Sequence, residues 1–178
     1  MLFAYDLDGV LAQAPPKEWF TKPWRHMSGA ERMERQAALT SWYRLAPVLL
    51  VPDPTEALHV ITARKRDQRE VTLEWFVEKL PEHRLSTLDM LIESRTLSNV
   101  IEHKRMALLG LLSVGVTDFV EDNAAVLRGL AKLGVYQRLH LFSGVGDEMS
   151  LFWDPHGAPD KGPAFAAQPR RAQAKSRV

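Results

Sequence analysis

The sequence of 178 residues contains no cysteine, which excludes disulfide bonds, thiol nucleophiles and thiolate metal sites. It also lacks an apolar run of the roughly 18 residues that a membrane-spanning helix needs, and no basic segment followed by an apolar one opens it. We therefore expect a cytoplasmic protein without a membrane partner. The 46% of hydrophobic and 25% of charged residues are typical of a globular domain, and the length suits one domain with a small insertion.

Positive charge is concentrated at the end of the chain. Residues 155–178 contain five Lys or Arg and one acid, although the net charge of the whole chain is only +1. This segment is rich in Pro, Ala and Gly and has little to bury, so we predict a disordered basic tail. Attraction to phosphates would allow the tail to contact nucleic acid, although a solvated terminus without a specific role is the favoured interpretation.

Short apolar runs predict five strands, which lie at residues 2–6, 58–62, 88–92, 117–121 and 138–142. The runs are apolar nearly throughout, as in strands that are covered on both faces of a parallel sheet. Helical patterns separate them at 67–80, 99–112 and 123–133, and Asp67 and Glu70 have the spacing of a capping box. Alternating strands and helices predict an α/β fold with a doubly wound, Rossmann-like parallel sheet.

About fifty residues separate the first two strands, far more than a simple crossover needs. Within them, Ser28 and Glu31 form a second capping-box pattern, which predicts a helix over 28–43. We predict a small helical cap at residues 12–46, inserted after the first strand of a core formed by 1–11 and 47–154. Ligands bind at the carboxyl ends of parallel strands, so the cap would cover a site. The aromatic residues of the cap either stack on a substrate ring or, as we favour, form its own small core; they are Trp19, Phe20 and Trp24.

Polar side chains occur in four groups, three at the ends of predicted strands and one near the start of a predicted helix. They are Asp6 and Asp8, Thr62 and Arg64, His103 and Lys104, and Glu121 and Asp122. Because the carboxyl ends of parallel strands share one edge of a sheet, we expect these groups to converge in one crevice. Carboxylates are preferred ligands of Mg²⁺, whereas a Thr hydroxyl and a Lys ammonium bind phosphate oxygens.

In order and placement these residues resemble the four motifs of the haloacid dehalogenase-like hydrolase superfamily. The motifs are DLDGVL, the Thr of VITAR, a lysine that opens a later helix, and VEDN. The resemblance implies that Asp6 is a nucleophile that forms an aspartyl-phosphate and that Asp8 is the general acid and base. Dehalogenating members lack an acid at the position of Asp8, so phosphate esters are favoured over carbon–halogen bonds.

The same resemblance implies that Thr62 and Lys104 hold the phosphoryl oxygens. It gives Mg²⁺ the Asp6 carboxylate, the Asp8 backbone carbonyl and Asp122 as ligands, with Glu121 acting through water. Arg64 either contacts the substrate phosphate or is solvated. Other basic residues are alternatives to Lys104, namely Lys65, Arg66, Arg95 and Arg105.

The size of the cap favours a small phosphorylated substrate, such as a nucleotide or a sugar phosphate, and the same site chemistry would also serve a phosphoryl-transfer mutase. The layout from REVTLEWFVEKL to VEDNAAVLRGLAKLGV is also similar to the phosphatase domain of polynucleotide kinase 3′-phosphatases, which implies that Arg95 lies on the substrate side. A third hypothesis is a binding module of the same fold that does not turn over. The complete set of Asp6, Asp8 and Asp122 favours an enzyme.

Overall fold

The computed structural model describes residues 1–92, 95–144 and 148–156. Six strands alternate with helices along these residues: β1 Phe3–Tyr5, β2 Leu58–Lys65, β3 Leu85–Leu91, β4 Asp118–Glu121, β5 Arg138–Phe142 and β6 Met149–Trp153. The α-helices are α1 Gly29–Leu45, α2 Arg69–Lys79, α3 Leu97–Leu111 and α4 Ala124–Lys132. Nearly all of the predicted basic tail, from residue 157 onward, lies outside the described residues.

The six strands form one sheet in the order β3-β2-β1-β4-β5-β6, in which all neighbours are parallel except β5 and β6. Three apolar clusters cover the sheet. The first combines strand residues with α3 and α4, and the second combines them with α2 and with Trp42 of α1. The third is smaller and contains Val10, Val120 and Phe142. The predicted doubly wound α/β fold is therefore confirmed. The strand order reverses between β1 and β4, which is where such sheets bind ligands.

The antiparallel edge strand β6 was not predicted. Its first three residues are exposed, and Phe152 packs against the apolar cluster that includes α3 and α4, so β6 is not covered on both faces as the predicted strands are. The other strands match the prediction, but β2 continues to Lys65 and β3 begins earlier, at Leu85.

Of the two predicted capping boxes, one is confirmed and one is wrong. At α1, the Ser28 hydroxyl accepts a hydrogen bond from the Glu31 amide at 3.2 Å, and the Glu31 carboxylate accepts one from the Ser28 amide at 2.7 Å. At α2, a 3₁₀ turn over Arg66–Gln68 precedes the helix, which then begins at Arg69 without a side-chain cap. The turn displaces Asp67 from the position at which a capping side chain acts.

The predicted cap segment contains α1 and two 3₁₀ turns, Lys17–Phe20 and Trp24–His26, between β1 and β2. The Trp19 ring contacts Trp42 of α1 edge-on, with 5.8 Å between the ring centroids. Trp42 in turn packs against the apolar cluster on that face of the sheet. Of the helices described, none has the length and apolarity needed to cross a membrane.

A buried carboxylate connects β4 and β5 away from the strand ends that carry the motifs. Asp118 is fully buried and accepts hydrogen bonds from Arg138 at 2.8 Å, His140 at 2.7 Å and the Thr117 hydroxyl at 2.6 Å. Burial opposes its charged form, but these three donors outweigh burial and hold the pKa of Asp118 below its usual range. Asp118 of β4 therefore links β5 to the centre of the sheet through these side-chain hydrogen bonds.

We expect Asp118→Asn to lower the free energy of unfolding by about 2–3 kcal/mol at pH 7, because the charged hydrogen bonds are lost. A carboxylate with a lowered pKa in the folded state stabilises the protein above its unfolded pKa, and this stabilisation is lost as the pH falls through the folded value. The deficit of the variant should therefore shrink between pH 7 and pH 3 in urea titrations. Glu82→Gln, at an exposed acid, is the control; an equal deficit at both pH values would contradict the assignment.

Candidate active site

Strand register brings the motif residues to one edge of the sheet. Tyr5 of β1 pairs with Val60 of β2 and with Val120 of β4. The pairing with β4 continues for one residue, because the Asp6 amide donates a hydrogen bond to the Val120 carbonyl at 2.8 Å. Thr62, two residues beyond Val60, therefore ends up level with the Asp6–Asp8 segment, and Glu121 and Asp122 follow directly after Val120.

Lys104 lies at the centre of the site. It projects from α3, is fully buried, and places its Nζ atom 3.0 Å from Asp6 Oδ2 and 2.5 Å from Glu121 Oε2. The second oxygen of Glu121 accepts a hydrogen bond from the Asn123 amide at 3.2 Å. One ammonium group thus faces two buried carboxylates. Such an arrangement is costly unless further positive charge or hydrogen bonds compensate it.

Three acids supply oxygen atoms that suit a metal ion. Asp6, Glu121 and Asp122 each have a ligand atom, and these atoms all lie within 4.8 Å of one another. Asp6 Oδ1 is buried and has no hydrogen-bond partner among the described residues, which is rare for a carboxylate oxygen. A hard divalent cation that takes oxygen ligands, such as Mg²⁺, would satisfy this oxygen and balance the excess negative charge. The residues present therefore fit the predicted cofactor.

The ionisation of these acids reflects the same excess of negative charge. Burial, with the Glu121 charge as the next cause, raises the pKa of Asp6 to about 7, although Lys104 opposes the change. Burial also raises the pKa of Glu121 and of Asp122. Binding of a cation would lower these pKa values, because a metal ion takes deprotonated carboxylates as ligands.

The absence of a side chain at Gly9 leaves room for the Asp122 carboxylate. Its φ of +94° lies in the left-handed region, and a Cβ atom at this position would stand 2.2 Å from Asp122 Oδ2. Both the turn after β1 and the approach of Asp122 thus require glycine. The glycine of DLDG therefore has two roles: it permits the turn after β1, and it leaves room for Asp122 of the VEDN motif.

We expect Gly9→Ala to displace the Asp122 carboxylate, to weaken Mg²⁺ binding at least about tenfold and to cost about 1–3 kcal/mol of stability from the strained backbone. Calorimetric Mg²⁺ titration and urea unfolding measure the two effects. Gly29→Ala is a matched control because open space surrounds that glycine at the start of α1. Unchanged Mg²⁺ affinity in Gly9→Ala would contradict the role of Asp122.

Arg64 holds Asp8. The Arg64 Nη2 atom lies 2.6 Å from Asp8 Oδ1, and Nε lies 3.1 Å from both Asp8 oxygens. The Arg64 side chain is fully buried, and its third nitrogen donates to the Thr72 hydroxyl at 3.2 Å. Its guanidinium carbon stands 3.9 Å from the centroid of the Tyr43 ring, which comes from α1. Phosphate binding by Arg64 stays a prediction, and it would require exchange of these contacts.

The remaining predicted residues are placed as follows. Thr62 is fully buried, and its hydroxyl accepts a hydrogen bond from the Arg64 amide at 3.1 Å, which leaves the hydroxyl proton to donate elsewhere. Asp8 contributes no carboxylate oxygen to the acidic cluster, so the predicted ligand would be its backbone carbonyl. Among the basic alternatives to Lys104, Arg105 pairs instead with Glu102 on the outer face of α3, at 2.7 Å.

Sequence patterns did not identify Tyr43 or Thr72 as site residues. Both are buried, and both contact the Arg64 guanidinium, Tyr43 through its ring and Thr72 through its hydroxyl. The available signal was a tyrosine near the end of the helix predicted over 28–43. That signal does not identify the partner of the tyrosine, since Tyr43 and Arg64 meet only through the fold.

Comparisons with known proteins add little. No protein-family model matches the chain, and no curated protein matches it. Among solved structures, a crystal structure of a candidate phosphoglycolate phosphatase from Lactobacillus plantarum is similar, with a TM-score of 0.43 and 12% sequence identity. The match covers 78% of this chain and 84% of that one. A likeness at this level carries no argument about function, which therefore has to come from the site itself.

Proposed function

We propose that this chain is a Mg²⁺-dependent phosphomonoester hydrolase that acts through an aspartyl-phosphate on Asp6. The observation that carries the proposal is the buried, unpartnered Oδ1 atom of Asp6, beside Lys104 and within 4.8 Å of ligand oxygens of Glu121 and Asp122. A buried carboxylate beside an ammonium group and two further acids suits phosphoryl transfer, in which positioning and charge stabilisation supply most of the rate.

In the first step, an oxygen of Asp6 forms a bond to phosphorus while the ester P–O bond breaks. The Lys104 contact with Oδ2 orients the Asp6 carboxylate within the site. The Thr62 hydroxyl and the Lys104 ammonium would stabilise the charge on the transferring phosphoryl oxygens. Bound Mg²⁺, held by Asp6 and Asp122 with Glu121 beside it, would shield the negative charge of the phosphoryl group from these acids.

Asp8 acts as the general acid and then as the general base. It donates one to the leaving oxygen in the first step and accepts one from water in the second, when water attacks phosphorus and the Asp6–phosphorus bond breaks. The fork of Arg64 sets the direction of the Asp8 carboxylate, because all three short contacts between the two side chains lie at 2.6–3.1 Å. Arg64 is in this account a positioning residue, supported by Tyr43 and Thr72.

Phosphate release from a panel of nucleotides, sugar phosphates and 3′-phosphorylated oligonucleotides tests the proposal. We expect release from at least one class in Mg²⁺ and none in EDTA. Release that persists in EDTA would overturn the metal dependence. No release from any class by the folded, Mg²⁺-bound protein would overturn the proposal and favour a binding module of the same fold.

Arg95 favours one second candidate, a polynucleotide 3′-phosphatase. It lines a cavity beside the end of β2, together with Lys65, so two cations lie at the end of the strand that also carries Thr62 and Arg64. These charges would suit the phosphates of an oligonucleotide next to its 3′ end. Preferred hydrolysis of the oligonucleotides in the panel would select this candidate, whereas preferred hydrolysis of free nucleotides or sugar phosphates would exclude it.

A further inference from the structure

A cavity of about 460 Å³ separates the cap segment from the carboxyl end of β2. Its wall on the cap side includes Phe20, Trp24 and Tyr43, and its wall on the core side includes Lys65 and Arg95. The volume falls within the range of small-molecule sites in proteins. The proposed mechanism uses none of the space inside this cavity.

The aromatic residues of the cap divide into two groups. Trp19 packs edge-on against Trp42 and so belongs to the interior of the cap. Phe20 and Trp24, by contrast, are 45% and 47% exposed although both line the cavity. Accessible rings in a concave site provide stacking surface for a planar ligand, since offset and edge-on ring contacts add to the energy of apolar burial.

The charge of the opposite wall is positive. Lys65 and Arg95 contribute two cations, and among the described residues that line the cavity Asp67 is the one acid. The Arg95 guanidinium stands 5.9 Å from the centroid of the Phe20 ring, and its charge also acts on the Tyr43 hydroxyl. Aromatic rings and cations thus share one small space, which suits a ligand that is both planar and anionic.

The cavity lies at the same end of β2 as the candidate site, since Ala63, which follows Thr62, and Lys65, which follows Arg64, both line it. Tyr43 also lines the cavity, and its ring stands 3.9 Å from the guanidinium of Arg64, which pairs with Asp8. In the proposed mechanism the leaving oxygen lies beside Asp8, at the sheet edge where the cavity also lies.

We propose that the cavity binds a nucleoside as the leaving group, so that the substrate class is the nucleotides. The base would stack on Phe20 and Trp24, and Lys65 and Arg95 would attract the anionic part of the ligand. The inference rests on the proposed function for turnover, whereas binding of the nucleotide does not require turnover.

The test compares adenosine 5′-monophosphate with ribose 5-phosphate, which has the same phosphate ester and sugar but no base. We expect kcat/KM to be about tenfold or more higher for the nucleotide, since stacking of a base on an aromatic side chain contributes about 1–3 kcal/mol. Trp24→Ala should lower this ratio toward one. Tyr136→Ala, at an exposed aromatic residue outside the cavity, is the matched control and should leave the ratio unchanged. Equal kcat/KM for both esters would overturn the inference and leave the phosphatase intact.

Calorimetric binding of the same two ligands to the Asp6→Asn variant separates the two proposals. We expect Asp6→Asn to bind ribose 5-phosphate at least about tenfold more weakly than the nucleotide. The Asp6→Asn, Trp24→Ala double variant should likewise bind the nucleotide at least about tenfold more weakly than Asp6→Asn does. This result would support nucleoside binding in the cavity even if no ester is hydrolysed. Equal affinity for both ligands, or binding of neither at millimolar concentration, overturns it even if other phosphate esters are hydrolysed.

Discussion

Asp6→Asn is expected to reduce Mg²⁺-dependent phosphate release at least about a thousandfold, because the substitution removes the nucleophile. The amide occupies the same volume, but its oxygen is a poor nucleophile and its nitrogen cannot accept the hydrogen bond from Lys104. The expected result is a loss in kcat with little change in KM, since the residues around the phosphate and the cavity are unaltered. Steady-state assays against the best ester of the panel measure both parameters.

Asp53→Asn is the matched control for this loss, because the same chemical change falls on an exposed aspartate. Circular dichroism and unfolding in urea show whether both variants retain the wild-type fold. If a folded Asp6→Asn protein kept wild-type kcat, Asp6 would not be the nucleophile. The acidic cluster would then at most bind metal, and the proposed mechanism would be wrong.

Lys104→Met is expected to cost the most stability of any substitution at the site, about 3–5 kcal/mol in the metal-free protein. It removes the cation that, among the described residues, contacts both Asp6 and Glu121, and it leaves buried carboxylates unpaired. Methionine retains most of the volume of the lysine side chain, so the cost comes from charge and not from a cavity. Urea unfolding in EDTA measures it.

The pH dependence distinguishes this electrostatic cost from simple misfolding. The pKa of Asp6 is raised to about 7 in the folded state, so below pH 7 the folded protein holds a proton that the unfolded chain has released. A folded state that binds more protons loses stability as the pH rises. Removal of Lys104 raises the acid pKa values further, so the deficit of Lys104→Met should be larger at pH 8 than at pH 5.

Added Mg²⁺ gives a second check on Lys104→Met. The cation would supply part of the missing positive charge, so Mg²⁺ should raise the melting temperature of the variant more than that of the wild type. Arg105→Met is the control, since Arg105 is on the outer face of the same helix and its partners in the described part of the chain are Glu102 and the neighbouring Met106. A deficit independent of both pH and Mg²⁺ would contradict the account of the buried charges.

The strands and the placement of Asp6, Thr62 and Asp122 at one sheet edge followed from local patterns. Apolar runs without alternation identify strands covered on both faces, and polar residues directly after such runs have to lie at the carboxyl edge. These inferences depend on periodicity and chain order, which a single sequence contains. Lys104, by contrast, is preferred over several other basic residues because of the resemblance of the motif order.

The partner of Arg64 could not be predicted in the same way. Its guanidinium contacts Asp8, 56 positions earlier, as well as Thr72 and Tyr43, and only the fold determines which of these approaches it. The division of the cap aromatics likewise depends on how its two 3₁₀ turns pack on α1, because Trp19 and Phe20 are neighbours in sequence but lie in different surroundings. Tertiary contacts between side chains far apart in sequence leave no local signal.

The central claim is that Asp6 receives the phosphoryl group, and mass spectrometry of acid-quenched protein tests it most directly. The Asp8→Asn variant, incubated with Mg²⁺ and acetyl phosphate, lacks the base for the second step, whereas this leaving group needs no acid in the first. The account predicts that a phosphoryl group accumulates on the peptide that contains Asp6. Phosphate release by the wild type, with no phosphoryl group on that peptide in either protein, would contradict it.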